Sequence, residues 1–335
     1  ANYILTLMSI ENLLLLDDIE FTVSGDNPYP DPGETISLIV TVANYGNALS
    51  SVSGEISTDH SGITITDATT EFGTVATNEQ SDNTNDPFII QISENVELGM
   101  AVFDITLTFD GNETVTEEWQ INIGIPPILL VDDDNGDNSE EGFVAGLDSL
   151  NISYEIIDRT STTLDNILLD IRDVVIWNTG SADGNGLSEV EKTAIMEYLD
   201  SGKNLFLSGS HLGQELADSE LLTDYLEIRY AGFRTGGILR GVEGDPIGVN
   251  PDNKLFLSLG SVGIDSLSTY GDPRSSLSFY YNGDESHGAV LRYSSPEYRV
   301  IFSAFNMDAV SPPTSSFLSD KDYVYSVLNY LLSDV

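Results

Sequence analysis

The sequence predicts a two-part fold, an all-β sandwich followed by an α/β domain built on a mostly parallel sheet. Three observations carry that prediction. Residues 17–124 alternate apolar and polar side chains between turn clusters, with no segment of helical period. At Gly124-Ile125-Pro126-Pro127 the rhythm breaks, because proline cannot extend a sheet ladder and the dipeptide makes a short, stiff hinge. Over residues 125–335 apolar runs of strand length alternate with capped amphipathic segments. That order implies a parallel sheet with helices on both faces.

The elements follow in chain order. Residues 1–16, "ANYILTLMSIENLLLL", are apolar but lack a basic n-region, contain Glu11 and are too short to span a bilayer. They read as a leading strand or linker carried over from an upstream region of a longer protein. In residues 17–124, "ETISLIVTVANYG" sets Ile36, Leu38, Val40 and Val42 against polar partners, the period of a half-buried strand. "AVFDITLTFDG" repeats it with Val102 or Phe103 leading into Ile105, Leu107 and Phe109, and "EEWQINIG" closes with Trp119, Ile121 and Ile123. Beyond the hinge, "ILLV", "SYEIID", "DVVIWN" and "NLFLSGS" read as buried strands. "SEVEKTAIMEYLDSG" reads as a helix with Ser188 as N-cap, Glu191 at the capping-box position and Gly202 as its stop. Residues 218–285 look looser; then "GAVLRYS" and "YRVIFSAFN" form a late strand pair and "DKDYVYSVLNYLLSDV" a closing helix.

Composition narrows the partners. With 55 acidic residues against 12 Lys plus Arg, the formal charge is −43. Such a field repels nucleic acid and anionic lipid, so neither a nucleic-acid partner nor membrane insertion is expected, whereas divalent cations suit it. The chain has no cysteine, which removes disulfides, thiolate metal sites and cysteine nucleophiles together.

Several of these stretches resemble known modules. "ILLVDDDNG", "GKNLFLSGS" and "RVIFSAFNMDAV" look like the class I glutamine-amidotransferase-like domain, and "PDPGETISLIVTVANYGNA" resembles CARDB-like immunoglobulin-like modules. The resemblance covers residues 17–335 and implies an immunoglobulin-like sandwich over 17–124. Over 125–335 it implies a flavodoxin-like three-layer α/β domain, of the kind appended to secreted bacterial peptidases and other surface proteins. It also implies a missing chemistry. The amidotransferase cysteine matches His211, and the family's catalytic histidine setting matches Asn306 and Asp308. Thioester chemistry cannot run without a thiolate and its base.

The candidate sites are then three. "GSHLG" (209–213) has the frame of a nucleophile elbow with His211 at its tip, but neither Ser208 nor Ser210 sits in a Gly-x-Ser-x-Gly frame. A rearranged hydrolase would use Ser208, Ser210 and His211 with Asp132 or Asp133, or take His287 of "DESHGAV", near Asp284 and Glu285, as its base. The plain alternative is that His211 caps a helix and His287 sits in a polar loop. "VDDDNGDNSEE" offers Asp132, Asp133, Asp134, Asn135, Asp137 and Glu141, hard oxygens of the kind calcium prefers. Phe143 stands where an EF-hand loop needs glutamate, so a solvated, helix-capping loop competes with a calcium site. "SGDNPYPDPGET" offers Asp26, Asn27, Asp31 and Glu34 for a cation or for a rigid turn. The glycine-rich turn 181–189, with Asp183 and Asn185, lacks the lysine of a phosphate-binding loop. Tyr225, Tyr230, Tyr270, Phe279, Tyr280 and Tyr281 supply either a sugar-stacking platform or ordinary strand residues.

The expectation is a non-catalytic accessory region, a spacer, folding or binding module, of a larger exported bacterial protein such as a peptidase. It would be secreted or at the cell surface, with calcium as the only suggested cofactor. Its partners would be other domains of the same polypeptide and a surface protein or glycan. A hydrolase rebuilt at 208–213 and a carbohydrate-binding module are the rivals.

Overall fold

The computed structural model describes residues 13–333 apart from 26, 112, 137, 151, 164–168, 182–185, 235 and 259–263. The chain divides into two compact units, Ala1–Ile125 and Pro126–Val335. The opening segment 1–12 lies outside the described residues, as do Asp26, Asp137, Asp183 and Asn185.

Among its described residues the first unit holds nine strands: β1 (Leu14–Val23), β2 (Thr35–Asn44), β3 (Leu49–Ser57), β4 (Ile63–Asp67), β5 (Thr69–Val75), β6 (Glu79–Asp82), β7 (Phe88–Ile92), β8 (Gly99–Phe109) and β9 (Glu113–Ile123). They form a five-stranded sheet in the order β1-β2-β7-β4, with β6 on β2, and a four-stranded sheet β5-β3-β8-β9. Alternation decides which side chains fill the shared core. Ile36, Leu38, Val40 and Val42 of β2 are fully buried, and in β8 Phe103 points inward while Val102 is exposed. Trp119 of β9 packs its ring 5.1 Å from that of Phe103.

The second unit begins with β10 (Ile128–Asp132), α1 (Glu141–Leu150), β11 (Tyr154–Asp158), β12 (Val174–Asn178), α2 (Glu189–Asp200), β13 (Asn204–Ser208) and the single turn α3 (Leu212–Glu215). It continues through β14 (Ile228–Arg234), β15 (Gly237–Gly241), β16 (Lys254–Leu257), β17 (Ile264–Thr269), β18 (Ser275–Tyr281), β19 (Asp284–Ser294), β20 (Arg299–Ser303) and α4 (Asp320–Leu332). One sheet runs β11-β10-β12-β13-β20-β19-β18-β15-β16, with β17 joining β19 and β14 joining β17. α1 and α4 close one core with Phe143 and Tyr323, and α2 closes the other with Ile195 and Leu199.

This corrects the expected fold class. A flavodoxin-like, mostly parallel three-layer domain does not form, and strand makes up 46% of the chain against 16% helix. Among the described strands, only β11, β10, β12, β13 and β20 pair in parallel. The remaining pairings of the same sheet are antiparallel. The physical reason lies in the stretch that read as loose. The described residues of 228–281 carry five short strands, and each of them pairs antiparallel with its neighbours. No described helix is long and apolar enough to cross a membrane.

Candidate functional site

The register of the parallel strands aligns one row of residues at their carboxyl ends. Asp132 lies opposite Asn178, Asn178 opposite Ser208 and Ser208 opposite Ser303. The loops that follow these strands meet at this edge, and both the acidic run and the elbow belong to it.

After β10 the backbone leaves the sheet through Asp133, whose N–H donates to the Asn178 carbonyl at 2.8 Å. Asp134 is buried and organises the turn. Its carboxylate accepts from Gly136 N–H (2.9 Å), Ser139 N–H (3.0 Å) and the Ser139 hydroxyl (2.7 Å). Asn178 Nδ2 donates to the Ser139 oxygen at 2.7 Å, tying the loop to β12. Folded this way, Asp132, Asp134 and Glu140 each bring a carboxylate oxygen within 4.8 Å of the others. Asp132 Oδ1 and Glu140 Oε2 are buried and accept no hydrogen bond. Burial, then the charges of Asp134 and Glu140, push the Asp132 carboxyl up to about 7.

Oxygens spaced this way can share one ion. Calcium binds oxygens at about 2.3–2.6 Å, so two ligands across a single ion stand up to roughly 5 Å apart. Of the residues expected here, Asp132 and Asp134 come together and Glu140 joins them. Asp133 turns away to accept from Trp177 Nε1 at 3.0 Å, and burial pushes its carboxyl up to about 6. The acidic loop of the first unit closes on itself instead. Asn27 Nδ2 donates to Asp31 at 2.8 Å, and Asp31 N–H donates to Glu34 Oε2 at 3.0 Å.

At the elbow the two serines are bound to backbone. Ser208, fully buried, donates its hydroxyl to the Phe305 carbonyl at 3.0 Å, and the Ser210 hydroxyl accepts from Asn306 N–H at 3.0 Å. His211 sits at the turn in the left-handed region (φ 59°) and occupies the N-cap position of α3 without a side-chain cap bond. Its ring lies nearly parallel to that of Phe233, and its buried Nε2 has no hydrogen-bond partner. The acid beside it is Asp265 of β17, not Asp132 or Asp133. Asp265 is fully buried, accepts Gln214 N–H at 3.0 Å through Oδ2, and leaves Oδ1 unpartnered. Burial above all pushes its carboxyl up to about 6, while His211 pulls the other way. Asn306, one of the two residues at the family's histidine setting, caps a 3₁₀ turn by accepting Asp308 N–H.

Asp265 was missed because a buried aspartate inside a short strand gives no hydropathy signal. Phe279 and Tyr281 are buried, Tyr225 and Tyr298 lie nearly parallel, and the exposed Tyr270 carries the Arg229 guanidinium 3.8 Å from its ring centre.

No protein-family model matches the chain, and no curated protein does either. Solved structures similar to it include glutamine-amidotransferase-like folds. A putative GMP synthase subunit from Thermoplasma acidophilum is 10% identical, with 62% of this chain and 96% of that one covered at a TM-score of 0.40. A glutamine amidotransferase from Thermotoga maritima is 15% identical, covering 54% and 76% at 0.37. An alpha-L-fucosidase isoenzyme 2 from Paenibacillus thiaminolyticus is 13% identical, covering 63% of this chain but only 34% of the fucosidase, at 0.43. At these scores the likenesses carry no argument about activity.

Proposed function

We propose that the chain is an accessory region of a larger exported protein, a spacer, folding or binding module whose second unit holds calcium between Asp132, Asp134 and Glu140. Its partners in this reading are neighbouring domains of the same polypeptide and a surface protein or glycan. The first unit serves as the spacer, and its likeness to CARDB-like modules rests on residues 30–48. One observation carries the reading: three carboxylates converge, and two of their buried oxygens accept no hydrogen bond. Buried charge of one sign is costly unless paired or bound to a cation, and hard oxygens without nitrogen or sulfur ligands suit calcium. An ion that binds the folded state more tightly than the unfolded one stabilises the fold. The elbow is compatible with the same reading, since Ser208 donates its hydroxyl to a backbone carbonyl and the Ser210 oxygen accepts a backbone N–H.

Isothermal titration of the whole chain with calcium, after treatment with a chelator, tests this. One saturable site is expected, abolished in Asp132→Asn and in Glu140→Gln. Heat that does not saturate, or a site that survives both substitutions, would refute it.

A further inference from the structure

A second group of polar side chains stands away from the acidic cluster, on the antiparallel part of the sheet. His287 Nδ1 lies 3.0 Å from both carboxylate oxygens of Asp284 and 3.0 Å from the Ser286 hydroxyl. Arg234 pairs with the same carboxylate. Hydrogen bonds from Ser286 and then His287 hold the Asp284 carboxyl well below the usual range. A carboxylate at Nδ1 fixes the tautomer and orientation of an imidazole and leaves Nε2 as its basic nitrogen.

His287 lines a cavity of about 460 Å³ together with Ser266, Arg234, Gly232 and Gly236, within the range of small-molecule sites. β17 and β19 pair with Leu267 opposite Gly288. Ser266 and His287 each stand one residue from that pair, and both line this cavity. Ser266 is 3% exposed, and its hydroxyl enters none of the described hydrogen bonds. Ser208 and Ser210, by contrast, are bound to backbone. The Ser266–His287 bond is not made in this structure; such bonds often close only when substrate is in place.

We propose that Ser266 is the nucleophile and His287 the base of a site that hydrolyses small carboxylic esters, with Asp284 positioning the base. Ser266 Oγ attacks the carbonyl carbon, and His287 Nε2 takes the hydroxyl proton. The bond to the leaving alkoxide breaks, and His287 returns the proton to it, releasing an alcohol. Water, deprotonated by His287, cleaves the acyl-serine to the acid and restores Ser266. The sum is ester plus water giving acid plus alcohol. This goes beyond the accessory reading and stands whether or not the Asp132 cluster holds a cation.

The test is a fluorophosphonate probe on the full chain, with the modified residue mapped by mass spectrometry, beside p-nitrophenyl acetate turnover. The expected label is on Ser266, lost in Ser266→Ala, with turnover down at least ~100-fold in His287→Asn. Asp284→Asn should lower turnover and move its pH profile, which a purely structural role would not do. Mapping on the unaltered chain does not depend on any variant folding. An unlabelled chain, a label on another residue, or turnover unchanged in Ser266→Ala would each overturn the proposal.

Discussion

Replacing Asp132 by asparagine should make the variant more stable than the unaltered protein without calcium and less stable than it with calcium. The carboxyl stands at about 7 instead of 3.8, first from burial and then from Asp134 and Glu140. That difference corresponds to about 4 kcal/mol against the ionised form. Asp132 is only partly buried, so solvent screening brings it to about 2 kcal/mol. The sign follows from proton linkage. Between about pH 4 and pH 7 the native chain keeps a proton that the unfolded chain has lost, so stability falls across that window and is level above it. At pH 8 in EDTA, Asp132→Asn removes the charge and should stabilise the second unit by about 2 kcal/mol, or roughly 4–8 °C in Tm. With calcium at 1,000 times its Kd, the unaltered protein should gain about 4 kcal/mol and the variant almost nothing. Calorimetry of both proteins in EDTA and in calcium reads all four values. If the variant melts lower in EDTA, or if calcium raises both proteins equally, the crowded-carboxylate argument is wrong.

Arg172 is fully buried, donates to the Pro126 carbonyl at 2.9 Å and pairs with Glu155; urea unfolding of Arg172→Ala should show a loss of about 3–5 kcal/mol. A Cβ on Gly146 of α1 would lie 2.6 Å from Val324 Cβ of α4. Gly146→Ala should therefore cost about 1–3 kcal/mol by overpacking, and combined with Val324→Gly, which removes that Cβ, it should cost at least ~1 kcal/mol less than the two effects summed. Ser188 accepts Glu191 N–H and donates to its carboxylate at 2.7 Å; Ser188→Ala should lower stability by about 1 kcal/mol, measured by the same urea midpoints.

Much of the fold was legible where one rule governs a segment. The alternation of β2, the apolar runs of β10, β12 and β13, and the Ser188–Glu191 capping box around α2 all read directly from residue order. The direction of pairing between distant strands did not, because period-2 patterning is the same for parallel and antiparallel ladders. The stretch 228–281 read as loose for a second reason. β17 buries Asp265 and Ser266, and β18 buries Ser275 and Ser278. Polar side chains inside a sheet look like loop residues until the structure shows what they face. The same blindness hid Asp265 beside His211 and Ser266 beside His287. Asp132 and Asp134 were legible as an acidic run, while the role of Glu140 depends on a turn that only Asp134 and Ser139 explain.

The elbow shows why a strained turn is weak evidence for catalysis when it stands alone. A non-glycine residue in the left-handed region costs about 1–3 kcal/mol and persists only where its surroundings impose it. Here they do. A Cβ on Gly209 would collide with Thr179 Oγ1, and one on Gly213 would lie 2.7 Å from Leu267 Cδ2 and 2.9 Å from Asp265 Oδ2. Ser208 and Ser210 are bonded to Phe305 and Asn306 on either side of the turn. Packing between β12, β13 and the chain after β20 therefore forces His211 to φ 59° whatever the residue at the tip does. Unpaired buried atoms occur at both places, since His211 Nε2 and Asp265 Oδ1 stand at the elbow, and each costs about 1–3 kcal/mol that no backbone constraint returns; cation spacing is what separates the two. Asp132 Oδ1 and Glu140 Oε2 are such atoms, and they belong to a group whose oxygens stand at cation spacing. A cation would offset both costs at once, which is why the acidic turn, and not the elbow, is the better guide to what this edge of the sheet holds.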